Sequence, residues 1–159
     1  MRILVVSDTH GREENFYKVL EKEKDIDMVL HCGDFVGGAE RMEEKCPVPF
    51  CAVTGNCDFS FAYPSEKEFV FEGKKVWMTH GHRFGVNYGL DSLYAEAVSF
   101  HYDVVLYGHT HRPLVRDVRG TLIINPGSLT QPRQEDRKPS YAILWINPDG
   151  TINAEIRYV

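Results

Sequence analysis

The chain has 159 residues, 43% of them hydrophobic, and a formal net charge of −5. A chain of this length is expected to fold as one domain, 1–159, burying roughly 70% of its unfolded surface without a disulfide staple, and its acidic balance excludes a broad basic surface for long nucleic acid. No apolar run reaches membrane-span length, no signal-peptide pattern precedes the first strand, and Cys32, Cys46, Cys51 and Cys57 form no CxxC pair, so a reduced, cytoplasmic protein that does not touch membranes is expected.

Residues 2–7 form a continuous apolar run suited to a strand buried on both faces, and Phe16, Val19 and Leu20 then recur at helical spacing. Residues 27–31 repeat the strand pattern, 37–45 read as a short helix, and 48–54 as a third strand. This βαβαβ order implies parallel strands joined by right-handed crossovers. Residues 68–71 and 75–79 flank Glu72-Gly73-Lys74 as a hairpin, and Leu90, Leu93, Tyr94, Ala97 and Val98 mark an amphipathic helix. Strands at 103–107, 114–118, 121–124, 141–146 and 152–158 follow, punctuated by Arg119-Gly120 and Asn147-Pro148-Asp149-Gly150 turns. The second half reads as antiparallel, and residues 130–139 are its longest loop.

Five of these strands end in polar clusters: Ser7-Asp8-Thr9-His10, Cys32-Gly33-Asp34, Gly55-Asn56-Cys57-Asp58, His80-Gly81-His82 and Gly108-His109-Thr110-His111. Ligands of open α/β sheets bind beyond the carboxyl ends of strands, so clusters scattered in sequence are expected to converge in space. Imidazole and carboxylate donors suit divalent transition ions, and one carboxylate can bridge two ions roughly 3.5 to 4 Å apart. Other catalytic templates fail: Ser7 and Ser128 lack a GxSxG elbow, Gly37-Gly38 lacks the lysine and hydroxyl of a P-loop, and the cysteines carry no catalytic signature.

Taken in order, Asp8-x-His10, Gly33-Asp34, Gly55-Asn56-x-Asp58, His80-Gly81 and Gly108-His109-x-His111 resemble the five blocks of the calcineurin-like metallophosphoesterase superfamily. The short length, HCGDF, GNCD, THGH, YGHTHRP and the later INPGS resemble its small bacterial and archaeal phosphodiesterases of the YfcE and MJ0936 type. The resemblance implies an α/β fold, a four-layer α/β/β/α sandwich of two mixed sheets flanked by helices. It implies two divalent ions: Asp8, His10 and His111 on the first, Asn56, His80 and His109 on the second, and Asp34 bridging. Manganese is the expected metal, with zinc, nickel, iron and magnesium as alternatives. The implied reaction is hydrolysis of a small phosphoester by in-line attack of a metal-bridging hydroxide, with Asp34, Asn56 and His82 as the catalytic residues. A homo-oligomer, dimer or tetramer, is common in the family.

Many superfamily members carry a histidine after the asparagine ligand, thought to protonate the leaving group, where this chain has Cys57. A thiol is a poor acid for that task, so diesters with good leaving groups are expected to outpace alkyl monoesters. Asp58 is read as orienting the Asn56 loop. The loop Asn125-Pro126-Gly127-Ser128 and Arg112, Arg133 and Arg137 are second-rank substrate contacts, since the guanidinium fork suits phosphate. His31 reads as a packed residue, His101 as a helix cap, and the aromatic residues Phe84, Tyr88, Tyr94, Phe100, Tyr102, Trp77 and Trp145 as core. Three alternatives stand: a phosphomonoesterase, a nucleotide or cyclic-nucleotide phosphodiesterase, and a non-catalytic scaffold like the retromer subunit of this fold, which has degraded metal sites where this chain keeps all seven ligands.

Overall fold

The computed structural model describes residues 1–159. Its elements are β1 (Arg2–Val6), α1 (Glu14–Lys22), β2 (Met28–His31), α2 (Ala39–Lys45), β3 (Phe50–Ala52), β4 (Glu66–Phe71), β5 (Lys74–Thr79), α3 (Asp91–Ser99), β6 (Val104–Leu106), β7 (Leu114–Val118), β8 (Thr121–Asn125), β9 (Ser140–Ile146) and β10 (Ile152–Tyr158). A 3₁₀ turn spans His82–Phe84. Two five-stranded sheets result, ordered β10-β9-β1-β2-β3 and β4-β5-β6-β8-β7.

Side-chain alternation divides the apolar residues into three layers. On β1, Leu4 and Val6 face α1 and α2, packing with Phe16, Val19 and Met42, while Ile3 and Val5 face the second sheet. On β5 and β6, Val76, Met78, Val104 and Leu106 fill the inter-sheet layer. Their alternates Trp77 and Val105 pack under α3 with Leu93 and Ala97. Strands covered on both faces must be apolar throughout, which explains the unbroken runs in the sequence. The four-layer α/β/β/α order of the sequence reading is the observed one. No helix is long and apolar enough to cross a membrane.

The second half departs from expectation. It is mixed rather than antiparallel: β5 pairs parallel with β6, and β6 parallel with β8, leaving only the β4–β5 and β7–β8 hairpins antiparallel in that sheet. The α3 crossover carries the chain from β5 to β6 in the same direction, as a parallel pair requires. The consequence is functional. β1, β2 and β3 run parallel in one sheet, and β5, β6 and β8 in the other, so the loops that follow them open at one end of the sandwich.

Candidate metal centre

The register of the strands brings the polar clusters together. Val6 pairs with His31, so Asp8 N–H donates to Gly33 O at 3.0 Å and His10 N–H to Asp34 O at 2.9 Å. Met78 pairs with Leu106, and Gly108 N–H donates to His80 O at 3.1 Å. Beyond the strands the backbone turns sharply: Asp8, His10, Asp34, His109 and His111 all have left-handed φ, between 45° and 67°. Asp and His accept that region more readily than most residues, and strain held this way gathers at functional sites.

Asp8, His10, Asp34 and His111 converge, with one donor atom from each lying within 4.8 Å of all the others. His111 Nε2 is 3.1 Å from Asp8 Oδ1 and 3.3 Å from His10 Nε2. Its Nδ1 donates to Gln131 O at 2.7 Å, which leaves Nε2 with a bare lone pair in the neutral ring. His80 behaves alike: Nδ1 donates to Cys32 O at 2.7 Å and Nε2 faces Asp34 Oδ2 at 3.4 Å. On the other side Asp34 Oδ2 is 3.8 Å from His10 Nε2. One carboxylate oxygen therefore stands between the two histidines.

His80 carries the cluster on to His109 and His82, with ring centroids at 5.2 and 5.4 Å. Asn56 stands apart. It is exposed on the turn after β3, and its amide nitrogen donates to Cys57 Sγ at 3.3 Å. The structure thus gathers six of the seven expected ligands and leaves Asn56 outside their contacts.

The donors fit divalent ions. Asp8 Oδ1 and His80 Nε2 are buried and have no hydrogen-bond partner, a state that costs about 1–3 kcal/mol per group unless a ligand compensates it. Burial works against a charged Asp34, yet His80 and the Cys57 N–H outweigh it and hold the carboxyl well below the usual range. Asp8 is likewise lowered, despite burial, by His111 and His80. Burial pushes His10 and His109 down, which keeps their rings neutral as ligands must be. His80 is raised, because Asp34 and Asp8 overcome its burial.

Residues that are not expected ligands build the frame. Asp58 accepts from the N–H groups of Asp34, Val36 and Gly55 at 2.7, 2.7 and 2.8 Å, fastening the β2 and β3 loops together. Ser128 Oγ and Thr130 Oγ1 donate to Asp8 O at 2.8 and 3.1 Å. Asn125 Nδ2 donates to Gly108 O at 2.8 Å. Asn125 and Ser128 are fully buried and spend their polar atoms on these loops, so their role is to brace ligand loops; the expectation of substrate contact is corrected. A Cβ at Gly108 would lie 2.0 Å from Ser7 Oγ, which is why that position lacks a side chain. Asn87, which no motif marks, places its amide 2.8 Å from His109 Nε2. His31 is buried, its Nδ1 accepting from Gly33 N–H at 3.1 Å, and burial lowers it to about 4. His101 Nδ1 sits 2.9 Å from Val98 O at the end of α3, as a cap does. Tyr88 and Phe100 are exposed rather than core, because they lie on turns flanking α3.

Residues 1–149 match the model of the calcineurin-like phosphoesterase superfamily domain. The chain belongs to that superfamily. This calcineurin-like phosphoesterase is 36% identical over 152 residues to a probable metallophosphoesterase of Bacillus subtilis, YsnB, covering 94% of this chain and 86% of that one. It is 33% identical over 144 residues to the phosphodiesterase MJ0936 of Methanocaldococcus jannaschii, covering 80% and 83%. Among solved structures, a predicted phosphoesterase of Streptococcus pneumoniae superposes with a TM-score of 0.80 at 28% identity, over 98% and 97% of the two chains. Vps29 of Entamoeba histolytica, crystallised with zinc, shares the fold with a TM-score of 0.79 at 21% identity, over 99% of each chain. A metal-dependent phosphoesterase family and a candidate metal-binding cluster are thus both present.

Proposed function

We propose that this chain is a two-metal phosphodiesterase acting on small phosphodiesters. The observation that carries the reading is the position of Asp34 Oδ2, 3.8 Å from His10 Nε2 and 3.4 Å from His80 Nε2. A carboxylate shared between two histidine groups is the arrangement a bridged pair of ions needs. Asp8, His10 and His111 would hold the first ion with Asp34. His80 and His109 would hold the second with Asp34, and Asn56 would join them by turning its amide oxygen inward. Bound divalent ions, manganese first among them, supply an activated water and neutralise charge on the phosphoryl oxygens.

The protein's own groups set the rest. Hydrolysis forms one bond from water oxygen to phosphorus, breaks one ester bond, and leaves the departing oxygen in need of a proton. Burial and the neighbouring Asp34 push the Cys57 thiol up to about 11, so it is a weak donor near neutral pH. Departing groups that are stable as anions are therefore favoured, which supports a diester substrate with a good leaving group. His82 lies beside His80, with ring centroids 5.4 Å apart, and would be the side chain that meets a phosphoryl oxygen. The name of the relative MJ0936, a phosphodiesterase, points the same way. All four cysteines are free thiols, which fits a reducing cytoplasm. The test is hydrolysis of bis(p-nitrophenyl) phosphate and of p-nitrophenyl phosphate by manganese-loaded protein. The diester is expected to be the faster substrate, and equal or faster monoester turnover would overturn the reading.

A further inference from the structure

A cavity of about 460 Å³ borders the metal centre on the side of His109. Asn87 and Thr110 line it on that side: the Asn87 amide is 2.8 Å from His109 Nε2, and Thr110 lies between His109 and His111 in the chain. Arg112, Arg116 and Arg133 also line it. Two of them are fixed at the GHTH turn and the third on β7. Arg112 follows the GHTH turn and donates from Nε to Arg133 O at 3.4 Å. Arg133 is tied to the same turn by its N–H, which donates to His111 O at 3.0 Å. Arg116 sits on β7, where alternation sends Leu114 and Val118 into the α3 layer and Arg116 to the same face.

None of the three guanidinium groups is ion-paired, although the chain carries more acids than bases and pairs Arg2, Arg41 and Arg157 with carboxylates. No carboxylate lines the cavity. Arg137, the third arginine singled out in the sequence, is not on it. Three like charges held around one cavity repel each other and raise the local concentration of anions. The remaining wall is apolar, from Leu90, Tyr107 and Leu114, and suits a flat or hydrophobic group.

We propose that this cavity is a subsite for a second phosphoryl group, carried on one arm of the diester through an apolar or ring-shaped linker. The inference rests on the phosphodiesterase reading and names its substrate class: diesters with a terminal phosphate. The cavity is not the seat of the scissile phosphorus, because neither Asp8, Asp34 nor any of the clustered histidines lines it. A phosphate is preferred to a carboxylate because three forks match three terminal oxygens, whereas one arginine already satisfies a carboxylate.

The experiment uses the manganese-loaded full chain and three readouts. Calorimetric binding of thymidine 5′-monophosphate is compared with thymidine and thymidine 5′-carboxylate, in wild type and in the Arg112→Gln/Arg116→Gln double variant. Turnover of the dinucleotide TpT is compared with its 5′-phosphorylated form pTpT. Thermal unfolding and metal content report whether the variant is intact. Wild type is expected to bind the monophosphate at least tenfold more tightly than either analogue, and to favour pTpT over TpT tenfold or more in kcat/KM. The double variant is expected to lose both preferences while keeping its metal and its melting temperature. Equal monophosphate binding by wild type and variant, or carboxylate binding as tight as phosphate, would overturn the subsite. Failure to hydrolyse bis(p-nitrophenyl) phosphate would instead sink the diesterase reading, and the binding comparison would still decide the cavity.

Discussion

The Asp58 carboxylate holds Asp34 by its backbone: Oδ2 accepts from Asp34 N–H at 2.7 Å and from Gly55 N–H at 2.8 Å, while Cys57 N–H donates back to Asp34 Oδ1 at 2.9 Å. The central carboxylate of the site is therefore gripped from both ends by the turn after β3. These hydrogen bonds are made by the protein alone, so the fold itself sets the position of the Asp34 carboxylate.

Asp58→Ala removes three hydrogen bonds to a charged acceptor and frees two loops. A stability loss of about 2–3 kcal/mol is expected, with metal affinity falling about 10–100-fold. Urea unfolding and metal titration of the same preparation check both. Unchanged affinity would show that the turn does not position Asp34.

Gly55→Ala acts by contact rather than by backbone preference, since a Cβ there would lie 2.1 Å from Asp34 Oδ1. The carboxylate must move. Metal content measured by elemental analysis is expected to fall sharply in a protein whose circular dichroism stays native, and retention of a full complement would contradict the close packing seen here.

Cys57→His restores an imidazole where the thiol stays protonated up to about 11. Turnover of an alkyl monoester is expected to rise by about tenfold or more, and that of p-nitrophenyl phosphate, whose leaving group is stable as an anion, far less. The diester rate should change little by comparison. No gain on the monoesters would remove leaving-group protonation from the account.

Glu23 gives a pH signature away from the site. It is only 4% exposed and accepts from Arg2, from Arg157 at 3.0 Å and from the Tyr141 hydroxyl at 2.7 Å. Burial opposes its charge, but these three donors hold its carboxyl below the ordinary value. The folded pKa lies under the unfolded one, about 4.3, so the contribution is present above that pH and is lost as pH falls through the folded value. Glu23→Gln is expected to cost about 3 kcal/mol at pH 7, the low end for a broken buried pair because both guanidinium groups reach solvent. Denaturation midpoints of wild type and variant should converge below about pH 4, and a constant gap would refute the linkage.

Much of the first sheet and of the site could be read from the chain because each ligand follows an unbroken apolar run, and a run such as Ile3 to Val6 has to end where the core ends. The second sheet was harder. Hairpin turns suggest neighbours that pair in chain order, whereas β6 inserts between β5 and β8, parallel to both, through the α3 crossover. Asn125 and Ser128 stand beside the arginines as expected substrate contacts in the sequence; only burial reveals that they brace Asp8 and Gly108. Asn87 and Arg116 carry no motif for a related reason, as their importance comes from partners distant in sequence. The left-handed turns at Asp8, His10, Asp34, His109 and His111 are also invisible without coordinates, though the choice of Asp and His at those positions agrees with them.

The central claim is that Asp34 joins two ions into one hydrolytic centre. Its most direct test is the rate of bis(p-nitrophenyl) phosphate hydrolysis as manganese is added stepwise to metal-depleted protein, for wild type and for Asp34→Asn. Wild type is expected to reach its plateau at two equivalents per chain and the variant to stay near background throughout. A wild-type plateau at one equivalent, or full turnover by Asp34→Asn, would contradict the account.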